Sequence, residues 1–185
     1  MNAWPCIYCK AAAQRRGSTN VGSGLRPTNH GTHWTMDMKG GYIPYYHWNY
    51  DSVHVFECIA TGKGVICGFK GPHSADNLKE SIRKLCTYLN ARSIKIEVIR
   101  CDAGTVEKSR SVEMFCADKG IIIDPIPPKA QHLNPVENYI QVVSIKKDAA
   151  VASARQGSTL TGAIWYSAMK CACINQLGYS DTSYF

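Results

Sequence analysis

The chain has 185 residues and 45% hydrophobic side chains, enough for one medium domain and a little more, with a real core. Its formal charge is 21 − 14 = +7, which favours polyanionic partners. Met1-Asn-Ala-Trp-Pro lacks the charged start and apolar run of a signal peptide, and no stretch approaches a membrane span. The nine cysteines are odd in number. Cys58, Cys67, Cys101 and Cys116 lie inside apolar patterns, where they read as small buried hydrophobes rather than a disulfide framework, so a reducing, intracellular setting is expected.

Residues 1–36 carry Lys10, Arg15, Arg16 and Arg26 and no acid, whereas 37–155 hold 16 basic and 13 acidic side chains. The chain therefore starts as a cationic arm, with a Gly/Ser/Thr/Asn-rich linker over 10–31. From Trp34 the pattern alternates: Trp34, Met36 and Met38 fall on one face, Thr35 and Asp37 on the other, as in a strand. Gly40-Gly41 through Pro44 breaks it. Ser52–Ile59 and Gly64–Phe69 read as two further strands of a hairpin meander. Asp76–Arg92 is an amphipathic helix with Leu78, Ile82, Leu85 and Leu89 on its buried face. Ile94–Ile99 reads as a fourth strand, ending at Arg100-Cys101-Asp102. Glu107–Lys119 is expected to be a second helix, Ile121-Ile-Ile a short central strand, and Pro125-Ile-Pro-Pro a loop. A helix is expected from Pro135, with Asn134 as its N-cap, and another over about Thr159–Gln176. Three meander strands followed by helix–strand–helix–strand imply an α/β fold, a mixed sheet whose second half pairs in parallel, with helices on its faces.

Three carboxylates occupy the points such a sheet makes important. Asp37 lies inside the first strand, where Asp is depleted and a buried carboxylate needs a partner. Asp102 ends the fourth strand, at the carboxyl edge where open α/β sheets place their sites. Glu137 stands in the first turn of a helix. Each has a structural role to set beside a functional one: Asp102 as a turn residue next to Gly104, Glu137 as the acid of a helix start. Together they suit Mg²⁺ or Mn²⁺, hard cations that take oxygen ligands. Two such ions about 3.5–4 Å apart serve phosphoryl chemistry.

The blocks His33-Trp-Thr-Met-Asp-Met-Lys-Gly, Arg100-Cys-Asp-Ala-Gly-Thr-Val-Glu and Asn134-Pro-Val-Glu resemble, in order, the three motif blocks of the integrase catalytic core of copia-type retrotransposons. Asp51-Ser52, Gly120-Ile-Ile-Ile and Leu160–Asn175 with Trp165 resemble further segments of those proteins, so the likeness runs from about Cys6 to Asn175. The resemblance implies an RNase H-like fold and a polynucleotidyl transferase that trims a 3′ end with water and drives the new 3′ hydroxyl into target DNA. Asp37, Asp102 and Glu137 would be its catalytic metal ligands for two ions. DNA would be its partner, a homo-oligomer its active form, and the nucleus its place of action on host DNA. The implied organisation is a zinc-region remnant and basic linker over 1–30, the core over 31–155, and a closing helix and tail over 156–185.

Two blocks depart from the family. Asp-Asn-Gly-Gly-Glu appears here as Asp102-Ala103-Gly104-Thr105-Val106-Glu107, with the Asn lost and the acid one place on, where it is expected to open a helix. Asn-Gly-x-x-Glu-Arg appears as Asn134-Pro135-Val136-Glu137-Asn138, one residue shorter and without its basic residue. The gap from Asp102 to Glu137 is thus 137 − 102 − 1 = 34 residues, one fewer than the family's usual spacing.

Cys6-Ile-Tyr-Cys9 has the spacing of half a zinc site. In the resembling family an upstream His pair completes it, so Zn²⁺ is expected only if those ligands are present, and the sequence reads as truncated at both ends. His30 and His33 lie beyond the arm, nearer the core. Lys10, Arg15 and Arg16 in the arm, and Gln141, Lys146 and Lys147 downstream of Glu137, are the candidate DNA contacts, against a reading as solvated surface. Lys79, Arg83 and Lys84 read as a wet helix face, and Tyr42, Tyr45, Tyr46, Trp48 and Tyr50 as apolar cover. Two other functions compete with strand transfer: a catalytically inactive nucleic-acid-binding remnant of a decayed element, and an RNase H-like nuclease that hydrolyses without joining.

Overall fold

A computed structural model of the chain describes residues 29–42, 49–127, 134–155 and 165–176. The described strands are β1 (His33–Lys39), β2 (Ser52–Cys58), β3 (Gly64–Phe69), β4 (Val98–Asp102) and β5 (Ile122–Ile126). The helices are α1 (Ala75–Asn90), α2 (Arg110–Asp118), α3 (Pro135–Arg155) and α4 (Trp165–Gln176). The strands form one mixed sheet in the order β3-β2-β1-β4-β5. β1–β2 and β2–β3 pair antiparallel, β1–β4 and β4–β5 parallel. The expected architecture is therefore the observed one.

The two-residue period of the strands builds two cores. Trp34 and Met36 of β1, Phe56 and Cys58 of β2, and Ile99 and Cys101 of β4 face one side. The apolar stripe of α1 and Val112 and Cys116 of α2 close over them. Val53 and Val55 of β2 and Ile66 of β3 face the other side, beneath Val136, Tyr139, Ile140 and Val143 of α3 and Trp165 and Met169 of α4. Fully burying side chains of this size contributes about 1.5–3 kcal/mol each. Ser74 starts α1 by accepting the Asn77 amide on its hydroxyl (3.3 Å). The charged residues of that helix make exposed pairs of the expected kind, Lys79 with Asp76 (2.8 Å) and Arg83 with Glu80. Tyr42 stacks on Trp165 at 4.2 Å and Tyr50 meets Tyr166 edge-on at 5.2 Å, so these tyrosines cover the second core.

Three elements differ from expectation. The fourth strand starts at Val98, not Ile94, because Ser93 has a positive φ (57°) and 91–93 form a turn after α1. The second helix starts at Arg110, so Glu107 sits in the turn before it rather than opening it. The strand after α2 is an edge strand rather than a central one, and it runs through Pro125 instead of yielding to a loop there. An edge tolerates proline because one row of its amides has no ladder partner. The last helix is described over Trp165–Gln176, and its expected start near Thr159 lies outside the described residues. Among the described residues no helix is long and apolar enough to cross a membrane.

On the side of the second core, α3 and α4 lie over β1, β2 and β3. Over β4 and β5 the same face carries Ile122, 65% exposed, and an exposed ion pair between Arg100 and Asp124 (2.8 Å). An open shelf thus borders the covered half of the sheet.

Candidate acidic site

Alternation decides where the acids point. Met36 and Cys101 face the first core, so Asp37 and Asp102, each one residue on, face the side of α3. Met36 pairs with Cys101 across the parallel ladder, and Asp37 and Asp102 continue that register by one step, side by side on adjacent central strands. Glu137 lies in the first turn of α3, which packs over β1 and β2, and its side chain is exposed. Asp37 is half-buried, and its Oδ1 accepts the Met38 amide (2.7 Å). Burial pushes its carboxyl above the ordinary value, against the opposing Met38 amide, and the negative charges of Asp102, Glu137 and Glu107 push it further. The three acids singled out in the sequence therefore share one electrostatic neighbourhood, and a fourth, Glu107, joins it.

Glu107 is 8% exposed. Its carboxylate folds back over the turn after Asp102, where a Cβ on Gly104 would lie 2.3 Å from Glu107 Oε2. The basic side chain beside it is His73, whose Nε2 is 3.4 Å from Glu107 Oε1 without hydrogen-bond geometry, a contact that is ionic only when the imidazole is protonated. Behind His73 lies buried His54, with its Nδ1 2.8 Å from Ser81 Oγ and its ring 5.1 Å from that of His73. Burial, with His73 beside it, pushes His54 down to about 3, so it is a neutral core residue at physiological pH.

The donor set suits a hard divalent cation, since every acid offers oxygen. Asp102 Oδ1 is buried with no hydrogen-bond partner, an acceptor in need of a cation or a water. Among the described residues no three His, Cys, Asp or Glu side chains stand close enough, as folded, to close round one ion. The oxygen donors suit the ion in kind.

Of the other candidates, Gln141, one turn beyond Glu137, is exposed and Lys146 half-buried. Lys147 is 9% exposed, with its ammonium 2.9 Å from Asp148 and 4.8 Å over the Tyr42 ring, so it is already engaged. Cys6, Cys9, Lys10, Arg15 and Arg16 lie outside the described residues. Asn134, expected to cap α3, instead sends its side-chain amide to the Met36 carbonyl (3.4 Å), while its backbone carbonyl accepts the Glu137 amide (3.1 Å). The long-range contacts of Glu107 and Asn134 carry no local sequence signal, although the displaced acid of the second block pointed towards Glu107.

No family model and no curated protein matches the chain. Solved structures do. One is a chain of the simian T-cell lymphotropic virus intasome in complex with the PP2A regulatory subunit B56 gamma, with a TM-score of 0.64 and 15% identity. The match covers 80% of this chain, which spans about half (49%) of that one. Two others are the HTLV-2 integrase catalytic core domain in complex with magnesium. The dimeric form has a TM-score of 0.57 and 16% identity, covering 81% of this chain and 86% of that one. The trimeric form has a TM-score of 0.59 and 17% identity, covering 87% and 94%. The fold is that of a retroviral integrase catalytic core.

Proposed function

We propose, on this fold and the grouping of its acids, that the chain is the core of a DNA strand transferase of the integrase kind, from a copia-type retrotransposon, with Asp37, Asp102 and Glu137 as its metal ligands. The observation that supports this most is the common neighbourhood of the acids: two from adjacent central strands and one from the helix laid over them, all acting on Asp37. Mg²⁺ or Mn²⁺, when bound, supplies activation of the attacking hydroxyl and stabilisation of the leaving 3′ oxygen. The protein's part is positional. Asp37 and Asp102 are fixed by the ladder, and Glu137 approaches from the helix. No side chain forms a covalent intermediate in this scheme. The buried thiols of Cys67 and Cys101 are both pushed up to about 12 by burial, which makes them poor nucleophiles. The shelf over β4 and β5, with Arg100 on it, is where we place the DNA backbone. Action on host DNA would place the protein in the nucleus, as an oligomer.

The reading is tested with a short duplex bearing a free 3′ hydroxyl, incubated with the chain and Mn²⁺ or Mg²⁺. Metal-dependent joined product is the expected result. Cleavage without joining would make it a nuclease, and retention of DNA without reaction a binding remnant. Glu137→Gln is expected to abolish joining, a loss of at least about a hundredfold, while DNA retention in a gel-shift assay stays near wild type. A Glu137→Gln protein that still joins DNA removes Glu137 from the site.

A further inference from the structure

We propose that Asn134 is a positioning residue of the acidic site, its side-chain amide tying the first turn of α3 to β1 at Met36 and so setting where Glu137 stands relative to Asp37. The inference rests on the metal-centre reading above and goes beyond its three ligands.

Asn134 bridges two parts of the site that are 98 residues apart in sequence. Nδ2 donates to the Met36 carbonyl (3.4 Å), on the residue before Asp37, and the Asn134 carbonyl accepts the amide of Glu137 itself (3.1 Å). The long side-chain bond has only one sensible orientation, because turning the amide would set its oxygen against the Met36 carbonyl oxygen. The residue is 4% exposed, and its Oδ1 is buried with no hydrogen-bond partner.

That arrangement does not serve stability alone. The sequence puts Asn134 at a helix start, where its oxygen is expected to accept an amide of the first turn. Instead the donor end reaches a strand, and the acceptor end is buried without a protein partner. Serine there would cap the helix as well and leave less polar surface buried. A residue that gives up its cap beside a cluster of acids is explained if the geometry is needed by the acids. Groups behind metal ligands commonly hold them in this way, and their loss weakens metal binding by roughly 10–100-fold.

The test is Asn134→Ser, which keeps a capping hydroxyl but is one bond too short, and lacks the amide donor, to reach Met36. Thermal unfolding of the full chain is followed against Mn²⁺ concentration, with Asp37→Asn and Glu137→Gln alongside; Asn134→Thr serves if the serine protein does not fold. The tether predicts a metal-free Tm at or above wild type and a half-saturating Mn²⁺ concentration raised about tenfold or more. A mere cap predicts neither. If both acid variants lose the Mn²⁺ response while Asn134→Ser keeps it at wild-type concentration, the tether is wrong and the metal centre stands. If the acid variants respond to Mn²⁺ as wild type does, or wild type does not respond, the metal centre is wrong and the tether falls with it.

Discussion

Asp37 is a carboxylate that folding makes harder to ionise, and this has a consequence for stability that can be signed. Its pKa is raised above the ordinary 3.8 by burial first and by Asp102, Glu137 and Glu107 next. The folded state therefore binds a proton more tightly than the unfolded chain. Below the unfolded value both states are protonated and the penalty is absent. It grows as pH rises from about 3.8 through the folded value and is constant above. Asp37→Asn keeps the shape and the acceptor for Met38 but removes the charge. The variant is expected to melt higher than wild type at pH 7, by an amount on the order of 2 °C, with the difference closing as the pH is taken down through the carboxylate range. Added Mn²⁺ should act the other way, raising the Tm of wild type and not of the variant. A variant that melts lower at pH 7 would mean that Asp37 is stabilised by a partner, not strained by its neighbours. At this scale the sequence is informative about which acids matter and silent about what they touch. Asp37 inside a strand is legible because an acid is out of place there. Glu107 has the spacing of a helix opener, and its fold-back over Gly104 depends on a turn that local spacing does not specify.

Helix α3 brings Glu137 to the sheet, so its seating on the strands is where a packing fault should reach the site. The contact is close at Gly64, where an added Cβ would lie 2.2 Å from Tyr139 Cζ, and Tyr139 is 5% exposed within the second core. A ring buried that deeply has no open space to move into, so Gly64→Ala must push α3 away or strain β3. The expected cost is about 1–3 kcal/mol, or roughly 2–4 °C of Tm for each kcal/mol in a domain of this size. Tyr139→Leu withdraws the ring. The double variant should therefore be more stable than the two single losses added together predict, with a coupling of about 1 kcal/mol or more in a thermal-melt cycle. Strict additivity would mean that the two residues do not press on each other. Elements are legible in the sequence wherever burial imposes a period. The stripe Leu78, Ile82, Leu85 and Leu89 is the buried face of α1, and the alternation of Trp34 and Met36 is that of β1. Sequence misleads where a neighbour supplies the reason: Ile121-Ile-Ile has the look of a central strand, yet Ile122 is 65% exposed on an edge, and Pro125 that of a breaker, although the edge accommodates it.

At the scale of the whole molecule, the chain carries much of its uncompensated positive charge in a stretch of sequence apart from the acids of the site. The acids gather at the carboxyl ends of β1 and β4 and the start of α3, while four of the cations behind the +7 balance stand unaccompanied by any acid within residues 1–36. A DNA duplex, itself a line of negative charge, would be repelled by the uncompensated acids and drawn by the cationic segment. Divalent ions remove the first effect locally, and salt weakens the second everywhere. Lys147 offers little to this balance, being held by Asp148 and by the face of Tyr42. The N-terminal cations are therefore expected to carry much of the attraction. Changing Lys10, Arg15, Arg16 and Arg26 to Gln in the full chain takes the formal charge from +7 to 7 − 4 = +3 without touching a described residue. Duplex affinity, followed by fluorescence anisotropy over a range of NaCl concentrations, should fall. The slope of log K against log salt should become shallower by about 0.9 for each phosphate that is no longer neutralised, up to about 3.6 if all four side chains pair with phosphates. An unchanged slope would remove the arm from the DNA contacts and leave the shelf over β4 and β5 to hold the backbone alone. There Arg100→Gln, which leaves Asp124 unpaired, is the substitution expected to change it instead, by about 0.9 for its single cation.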